Sequence, residues 1–316
     1  MAEKNTLKTY DINQYEVQKT NKVLKVLIYI GLVIWALIDL FPIYWMFTFS
    51  LKNNEEVYGA NVMGLPKNWL WSNYEKALTT GNMPQYFLNS VIVTVAAIAI
   101  SLIAALMATY ALTRIVWKGR EMMNAFFMLG ITIPIHSSIV PIFITLSKLK
   151  VINSYWSLII PYSAFSLAMA ILICTGFMND IPKDLDEAAY IDGCTLWQTF
   201  IKIIVPLMKP ALATISIYTF LQCWNELMFA NVFISKKALK TLPVGIQALS
   251  GQHTTDWGPI GAALVIATFP TLIVYIFMSK SIQESFIAGA VKGEPRNSCP
   301  KQMAISGERK SEIIIP

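Results

Sequence analysis

The sequence predicts an all-α membrane protein with six transmembrane helices, and three observations lead there. Of the 316 residues, 55% are hydrophobic and only 14% are charged, whereas a soluble domain carries roughly 25% charged residues. Six apolar stretches are each long enough to cross a hydrocarbon core of about 30 Å, which takes about 20 helical residues. The alternating runs of about 10 residues that mark a membrane β-barrel do not occur. Backbone polar groups in lipid must be bonded within their own segment, so long continuous apolar runs read as helices.

The spans fall near 26–50, 90–113, 123–146, 155–178, 211–234 and 259–279. The first follows 25 mostly polar residues and exceeds the roughly 7–15 residues of a signal-peptide core, so no cleavable leader is expected. Pro134, Pro141, Pro161 and Pro270 should kink their spans where neighbours or water satisfy the freed carbonyls. Asp39 and Glu226 are the clear ionisable residues inside spans. Asp39, close to Pro42, is expected to pair with a neighbouring span. Met and Phe stripes on the spans read as packing.

Orientation follows from the basic residues. The N-terminus, the 114–122 and 179–210 loops and the C-terminal tail hold 17 of the 25 Lys and Arg, and the opposite segments hold 8. This positive-inside bias predicts that both termini are cytoplasmic. The net charge of +6 therefore reads as topology and not as a nucleic-acid footprint.

Several chemistries are unsupported. No G-x-x-x-x-G-K-[ST] occurs, so the chain has no P-loop of its own for ATP. G-x-S-x-G, H-E-x-x-H and clustered catalytic carboxylates are also absent, which leaves a membrane enzyme without a catalytic constellation. Cys174 and Cys223 lie in spans, Cys194 and Cys299 fall on the predicted reducing side, and His136 and His253 are far apart. Neither a metal site nor a disulfide framework is expected. An ion-coupled carrier needs buried ionisable groups or broken helices, and two intramembrane carboxylates make that the weaker reading.

The loop between the fourth and fifth spans is different in kind. Pro182 suits a first helical turn, and Asp184, Asp186 and Glu187 complement a helix dipole there. Gly193 is placed to end that helix in the left-handed conformation. Thr195-Leu196-Trp197-Gln198 then reads as a capping box, opening a second helix that runs through Phe200, Ile201 and Ile204 to Pro206. The prediction is helix, glycine turn, helix, with net charge −4 across 180–192 and small Ala188 and Ala189 permitting close approach. The residues alone leave two readings open, a solvated loop and a docking element. A hairpin this short cannot bury much against itself.

Glu187-Ala188-Ala189, three residues, Gly193, nine residues, then Ile203-Ile204-Val205-Pro206 resembles the EAA loop of ABC-importer permeases, E-A-A-x3-G-x9-I-x-L-P. Val205 replaces the usual leucine. The resemblance covers about 27–293 and narrows to the maltose-type carbohydrate permeases. Phe41-Pro42-Ile43-Tyr44-Trp45-Met46, the P-x-x-W-x-x-x-N-Y of Pro66–Tyr74 and the stretch Ser147–Tyr162 (Val151 for a leucine) are similar to family motifs. So are Trp224-Asn225-Glu226, Thr241-Leu242-Pro243-Val244-Gly245, Asp256-Trp257-Gly258 and Ala288-Gly289-Ala290-Val291-Lys292-Gly293. Ser285-Phe286-Ile287 departs from the more common G-L-T, and the 23 residues after Gly293 are a polar extension read as disordered.

The resemblance implies a type I importer (MetI-like) permease fold with both termini cytoplasmic, in the bacterial plasma (inner) membrane. It divides the chain into an N-terminal segment 1–25, a first helix and outer loop 26–89, and a permease core 90–285 with five transmembrane helices and the coupling loop 180–206. A tail, 286–316, completes it. It implies a non-catalytic subunit paired with a second, related permease, seated on two ATPase subunits that bind ATP and Mg, and fed by an extracytoplasmic solute-binding protein. The chain itself would hold no cofactor and no nucleic acid.

In that assembly Glu187 would pair with a basic group of the ATPase or cap the hairpin, Ala188 and Ala189 would allow docking, and Gly193 would make the turn before Pro206. Trp224, Asn225 and Glu226 are candidates for the cargo pathway, an intramembrane carboxylate being a functional hypothesis by default. Pinning helices together, or capping a broken span, stays open for Glu226. In the outer loop 235–258, Gln247, Gln252, Asp256 and Trp257 are candidates for a mobile contact to the binding protein, with a plain hydrophilic connector the alternative. Cargo is expected to be a sugar or oligosaccharide, with a glycerophosphate or sugar derivative on the same machinery as the alternative. An ion-coupled secondary transporter is the reading from a different class.

Overall fold

The structure, a computed structural model, describes residues 22–59, 61–250 and 255–291. The expectations for residues 1–21, Gln252, His253, Cys299 and the 294–316 extension lie outside the described residues. Every regular element among those described is helical. In chain order they are α1 (Lys22–Ser50), α2 (Asn54–Tyr58), α3 (Ser72–Leu78), α4 (Met83–Thr113), α5 (Arg120–Thr132), α6 (Ile139–Lys148) and α7 (Trp156–Asp180). They continue as α8 (Asp184–Ile191), α9 (Leu196–Thr199), α10 (Val205–Leu207), α11 (Lys209–Trp224), α12 (Met228–Phe233), α13 (Leu242–Gln247) and α14 (Trp257–Val291).

By length and composition four helices can cross a membrane: α1, α4, α7 and the Trp257–Met278 part of α14. Two bent pairs bring the number to six. Arg120–Thr132 with Ile135–Lys148 turns through 97°, and Leu196–Leu207 with Lys209–Trp224 through 71°.

Two predicted spans are thus not continuous. The 123–146 span breaks at Ile133 and Pro134, both extended, with ψ of 121° and 115°. A residue before proline is pushed out of the α region, and here the chain does not recover until a 3-10 turn over Ile135–Ser138. The hydroxyls of Thr132 and Ser137 donate to the Leu129 and Pro134 carbonyls at 2.7 Å each, replacing helix bonds lost at the break. The 211–234 span is interrupted between Trp224 and Met228. Pro161 and Pro270 instead sit inside continuous helices. Pro141 falls in the first turn of α6, where no N–H is needed.

The chain forms two compact units. The first comprises residues within 1–83 and 245–267, and it is organised by polar side chains. Lys52 is fully buried, its ammonium donating to the carbonyls of Asn61 at 2.7 Å and Val62 at 2.9 Å. Burial lowers its pKa, against the opposing pull of Glu56. Buried Asn73 donates to the carbonyls of Ser50 (2.9 Å) and Lys52 (3.0 Å), closing the end of α1 onto α3. Gly261 lies so close to α1 that an added Cβ would meet the Phe49 ring at 2.7 Å and the Ser50 Cα at 2.9 Å. Asp39 is exposed, and the expected partner span does not meet it, because among the described residues nothing covers the greater part of α1.

The second unit comprises residues within 84–244 and 268–316, with α4 and α7 as its axis. One apolar cluster gathers Leu106, Tyr110, Ile171, Met178, Ile204 and Ile215. Another gathers Val93, Leu158, Tyr162, Phe229, Phe233 and Val244. Loops close onto this axis through asparagines. Asn89 donates to the Ala238 and Lys240 carbonyls at 2.9 and 2.8 Å and accepts from the Tyr155 hydroxyl. The Asn153 carbonyl oxygen accepts from the Ser235 and Lys236 N–H groups.

Replacing Asn73 by Ala should strand two buried carbonyls, at about 1–3 kcal/mol each. The purified protein should melt earlier in detergent, by differential scanning fluorimetry, while Asn68→Ala at an exposed position leaves the melting point unchanged.

Candidate functional site

The 180–206 segment folds as its residues predict up to Phe200. α8 ends in a double backbone clasp, the Gly193 N–H donating to Tyr190 O (3.0 Å) and the Cys194 N–H to Ala189 O (2.9 Å). That pattern needs a left-handed residue, and Gly193 supplies φ = +80°. Thr195 and Gln198 close the capping box in both directions, at 3.3 and 2.9 Å. The cap is therefore made without Glu187, whose side chain is exposed.

Beyond Thr199 the expected continuous helix widens. Phe200–Ile204 is a π-turn, with the Val205 N–H reaching back to Phe200 O. Pro206 does not end the helix but lies within the short α10, and the bend comes after it, about Met208. Proline has no N–H to donate to the preceding turn and its ring crowds that turn's carbonyl, and a π-turn is one way to absorb such a mismatch.

The hairpin's two sides differ. Asp186, Ala189, Thr199 and Phe200 are buried, and Phe200 lies against Tyr110 of α4 with ring centroids 5.0 Å apart. Outward, Leu185, Tyr190, Ile191, Leu196 and Trp197 are 40–87% exposed, with Ala188 among them. An apolar patch rimmed by Asp184, Glu187 and Asp192 marks a contact surface.

Sequence reasoning counted Arg114 only as a topology charge. The structure gives it more to do. Its side chain, 6% exposed, donates through Nη2 to the carbonyls of Met178 (3.0 Å) and Ile181 (2.7 Å) at the end of α7, and Nη1 lies 3.3 Å from Asp186 Oδ2 in α8. One guanidinium following α4 thus holds the end of α7 and the inner face of the hairpin. Cations suit helix C-termini, where carbonyls go unpaired. Neither oxygen of Asp186 has a hydrogen bond among the described residues, so the ion pair is its compensation. Burial raises the Asp186 pKa, with Arg114 pulling the other way.

The cargo candidates separate. Trp224 is buried, stacked on Phe220 (5.4 Å, 18°) and edge-on to Phe87. Exposed Asn225 donates to the Leu221 carbonyl. Glu226 occupies the gap between α11 and α12 and accepts from the N–H groups of Phe229 (2.9 Å) and Ala230 (3.2 Å) and from the Tyr162 hydroxyl. Its carboxylate caps α12 and ties the break to α7, the structural role left open for it above.

The outer-loop candidates are less free than expected. Gln247 is exposed at the end of α13, and Gln252 lies outside the described residues. Asp256 pairs with Lys76 at 3.1 Å, both about half exposed. The Trp257 N–H donates to Asn54 Oδ1 and its indole N–H to the Tyr58 hydroxyl, while the Asn54 amide donates to Thr255 O. Residues 255–257 are therefore tethered to α2, because Asn54 both donates and accepts there.

Apolar spans, two of them broken, bearing a capped hairpin define a multi-pass membrane protein. Comparison with known proteins agrees. Residues 97–287 match the family of binding-protein-dependent transport system inner membrane components. The chain is 37% identical over 278 residues to the trehalose/maltose transport system permease protein MalG of Thermococcus litoralis, covering 85% of this chain and 98% of that one. It is 34% identical over 254 residues to the sulfoquinovosyl glycerol transport system permease protein SmoH of Agrobacterium fabrum, covering 80% and 89%. The fold matches a bacterial ABC transporter involved in import of the acidic polysaccharide alginate, with a TM-score of 0.73 at 23% identity, over 83% of this chain and 97% of that one. The chain belongs to this family and is an ABC-transporter permease.

Arg114→Gln should loosen the hairpin by about 3–5 kcal/mol, the cost of leaving a buried charge unpartnered. A carboxyl whose pKa is raised by folding binds its proton more tightly in the folded state, so stability falls as pH rises from the ordinary carboxylate range through the raised value. Removing Arg114 removes the downward pull and deepens that fall. Hydrogen exchange across 184–192 should accelerate in Arg114→Gln relative to wild type, with a larger ratio at pH 8 than at pH 5 after correction for intrinsic exchange.

Proposed function

We propose that this chain is the non-catalytic permease subunit of an ABC importer for a sugar or sugar derivative, and that its 180–206 hairpin is the joint to the ATPase. The observation that carries this is the hairpin itself. Its turn is closed by the Gly193 clasp and the Thr195–Gln198 capping box, it is anchored by Arg114, and it turns apolar side chains outward that nothing covers among the described residues. Its partners would be a second related permease, two ATPase subunits that bind ATP and Mg, and an extracytoplasmic binding protein, the last supported by the family's description as binding-protein-dependent. Both termini and the hairpin would then face the cytoplasm, consistent with the Lys and Arg distribution.

Carbohydrate cargo is supported by relatives named for trehalose/maltose and for sulfoquinovosyl glycerol. Glu187, Ala188 and Gly193 would meet the ATPase, with buried Ala189 shaping the joint from inside and exposed Pro206 standing just before the bend that ends it. Asn225 keeps a free face for cargo, while Trp224 and Glu226 would hold the pathway's wall. Gln247 would meet the binding protein, and Asp256 and Trp257 would hold the base of that contact. Closure of the ATPase pair would pull on the hairpin, biasing a two-state element from a distant site.

Gly193 offers a test at a position with room for a side chain. No atom lies within 4 Å of a Cβ added there, and Asp tolerates the left-handed region better than most residues. In vesicles holding both permeases, the ATPase and the binding protein, Gly193→Asp and Glu187→Ala should assemble normally yet lose sugar uptake driven by ATP hydrolysis. Normal coupling in both variants, or uptake without the ATPase, would remove the joint and favour an ion-coupled carrier.

A further inference from the structure

The last turn of α4, the first turns of α5 and the end of α7 enclose a cavity of about 300 Å³ beside the entry to the hairpin. Although three apolar helices meet there, its lining beside Leu112 carries Thr113, Asn124, Thr175 and Asn179, with Arg120 and Lys183. Glu121 is the one acid. Among the described residues neither cation is ion-paired, since the two ion pairs are Lys76–Asp256 and Arg114–Asp186. The Thr175 hydroxyl oxygen is buried with no hydrogen-bond partner there, a cost that a polar group in the cavity would remove.

We infer that this cavity binds a phosphate group, and that its source is the headgroup of an anionic membrane phospholipid. Arginine presents a planar fork of donors that matches phosphate oxygens, and lysine adds a compact charge. Amide and hydroxyl donors from Asn124, Asn179 and Thr175 complete the recognition, and Glu121 faces the hydroxyls of a glycerol headgroup. Depth favours lipid over a soluble anion. The spans α4 and α7 end at Thr113 and Asp180, so the cavity lies where headgroups lie, and basic pockets between helices at that depth bind them. Lys183 also stands immediately before α8, its carbonyl accepting from Asp186 and Glu187 N–H groups, so an occupied site would steady the hairpin's entry. That consequence rests on the coupling role proposed above, whereas the binding does not.

The complete importer, in nanodiscs of phosphatidylcholine with or without phosphatidylglycerol, gives the test. Native mass spectrometry through a delipidation series should show phosphatidylglycerol retained by wild type and held at least about tenfold more weakly by the Arg120→Gln/Lys183→Gln double variant. The charge-preserving Arg120→Lys/Lys183→Arg pair should keep it, which separates lost binding from lost folding. Equal retention in all three proteins overturns the site. Displacement of the lipid by millimolar inorganic phosphate overturns the lipid as its source. Undiminished ATP-driven uptake by wild type in vesicles of phosphatidylcholine alone would strike the steadying of the hairpin and leave the binding result standing.

Discussion

A backbone polar group that cannot reach water must find its partner inside the protein, and most of what is distinctive in this molecule answers that demand. Long helices meet it within themselves. At three of the places where a helix stops or breaks, a side chain takes over. Arg114 covers the carbonyls at the end of α7, Glu226 receives the first N–H groups of α12, and Asn73 takes the carbonyls that close α1. These substitutes are charged or amide groups with several donors or acceptors each, so one side chain can serve two backbone positions. They also fix geometry. A helix end held by two directed bonds cannot drift as an end held by packing alone can.

The same economy makes structure and action hard to separate. Arg114 satisfies α7 through Nη2, and its Nη1 reaches Asp186. A residue that closes one helix thereby becomes the link between that helix and the hairpin. The pair is buried and sparsely bonded, an arrangement that adds little net stability but strongly penalises separation. On the proposed reading a pull on the hairpin reaches α4 and α7 together and not through a hinge. Glu226 plays a comparable part at the opposite apolar cluster, where the break between α11 and α12 is held to α7 through Tyr162.

The readable part of the sequence was the part governed by local rules. Apolar length gave the spans, and the Gly193 and Thr195–Gln198 chemistry gave the hairpin almost residue by residue, because both depend on neighbours along the chain. What escaped depends on residues far apart. Nothing around Arg114 announces that it meets Met178, Ile181 and Asp186, 64 residues and more away in sequence. Its charge looked like any other at the end of a span. The break at Pro134 was expected as a kink and proved a 97° turn, since the amplitude depends on the polar groups that can replace lost bonds. Residues 255–257 read as a free polar loop because Asn54, which tethers them, lies about 200 positions earlier.

The π-turn at Phe200–Ile204 amounts to one surplus residue in an otherwise α-helical run. Each residue of an α-helix advances the chain's azimuth by about 100°, so that single insertion sets the compass bearing of everything preceding it relative to α11. Deleting one position there would give a more regular helix with its tip facing a different quarter. Relatives could re-aim the tip by gaining or losing one residue, without altering a side chain on its outer face.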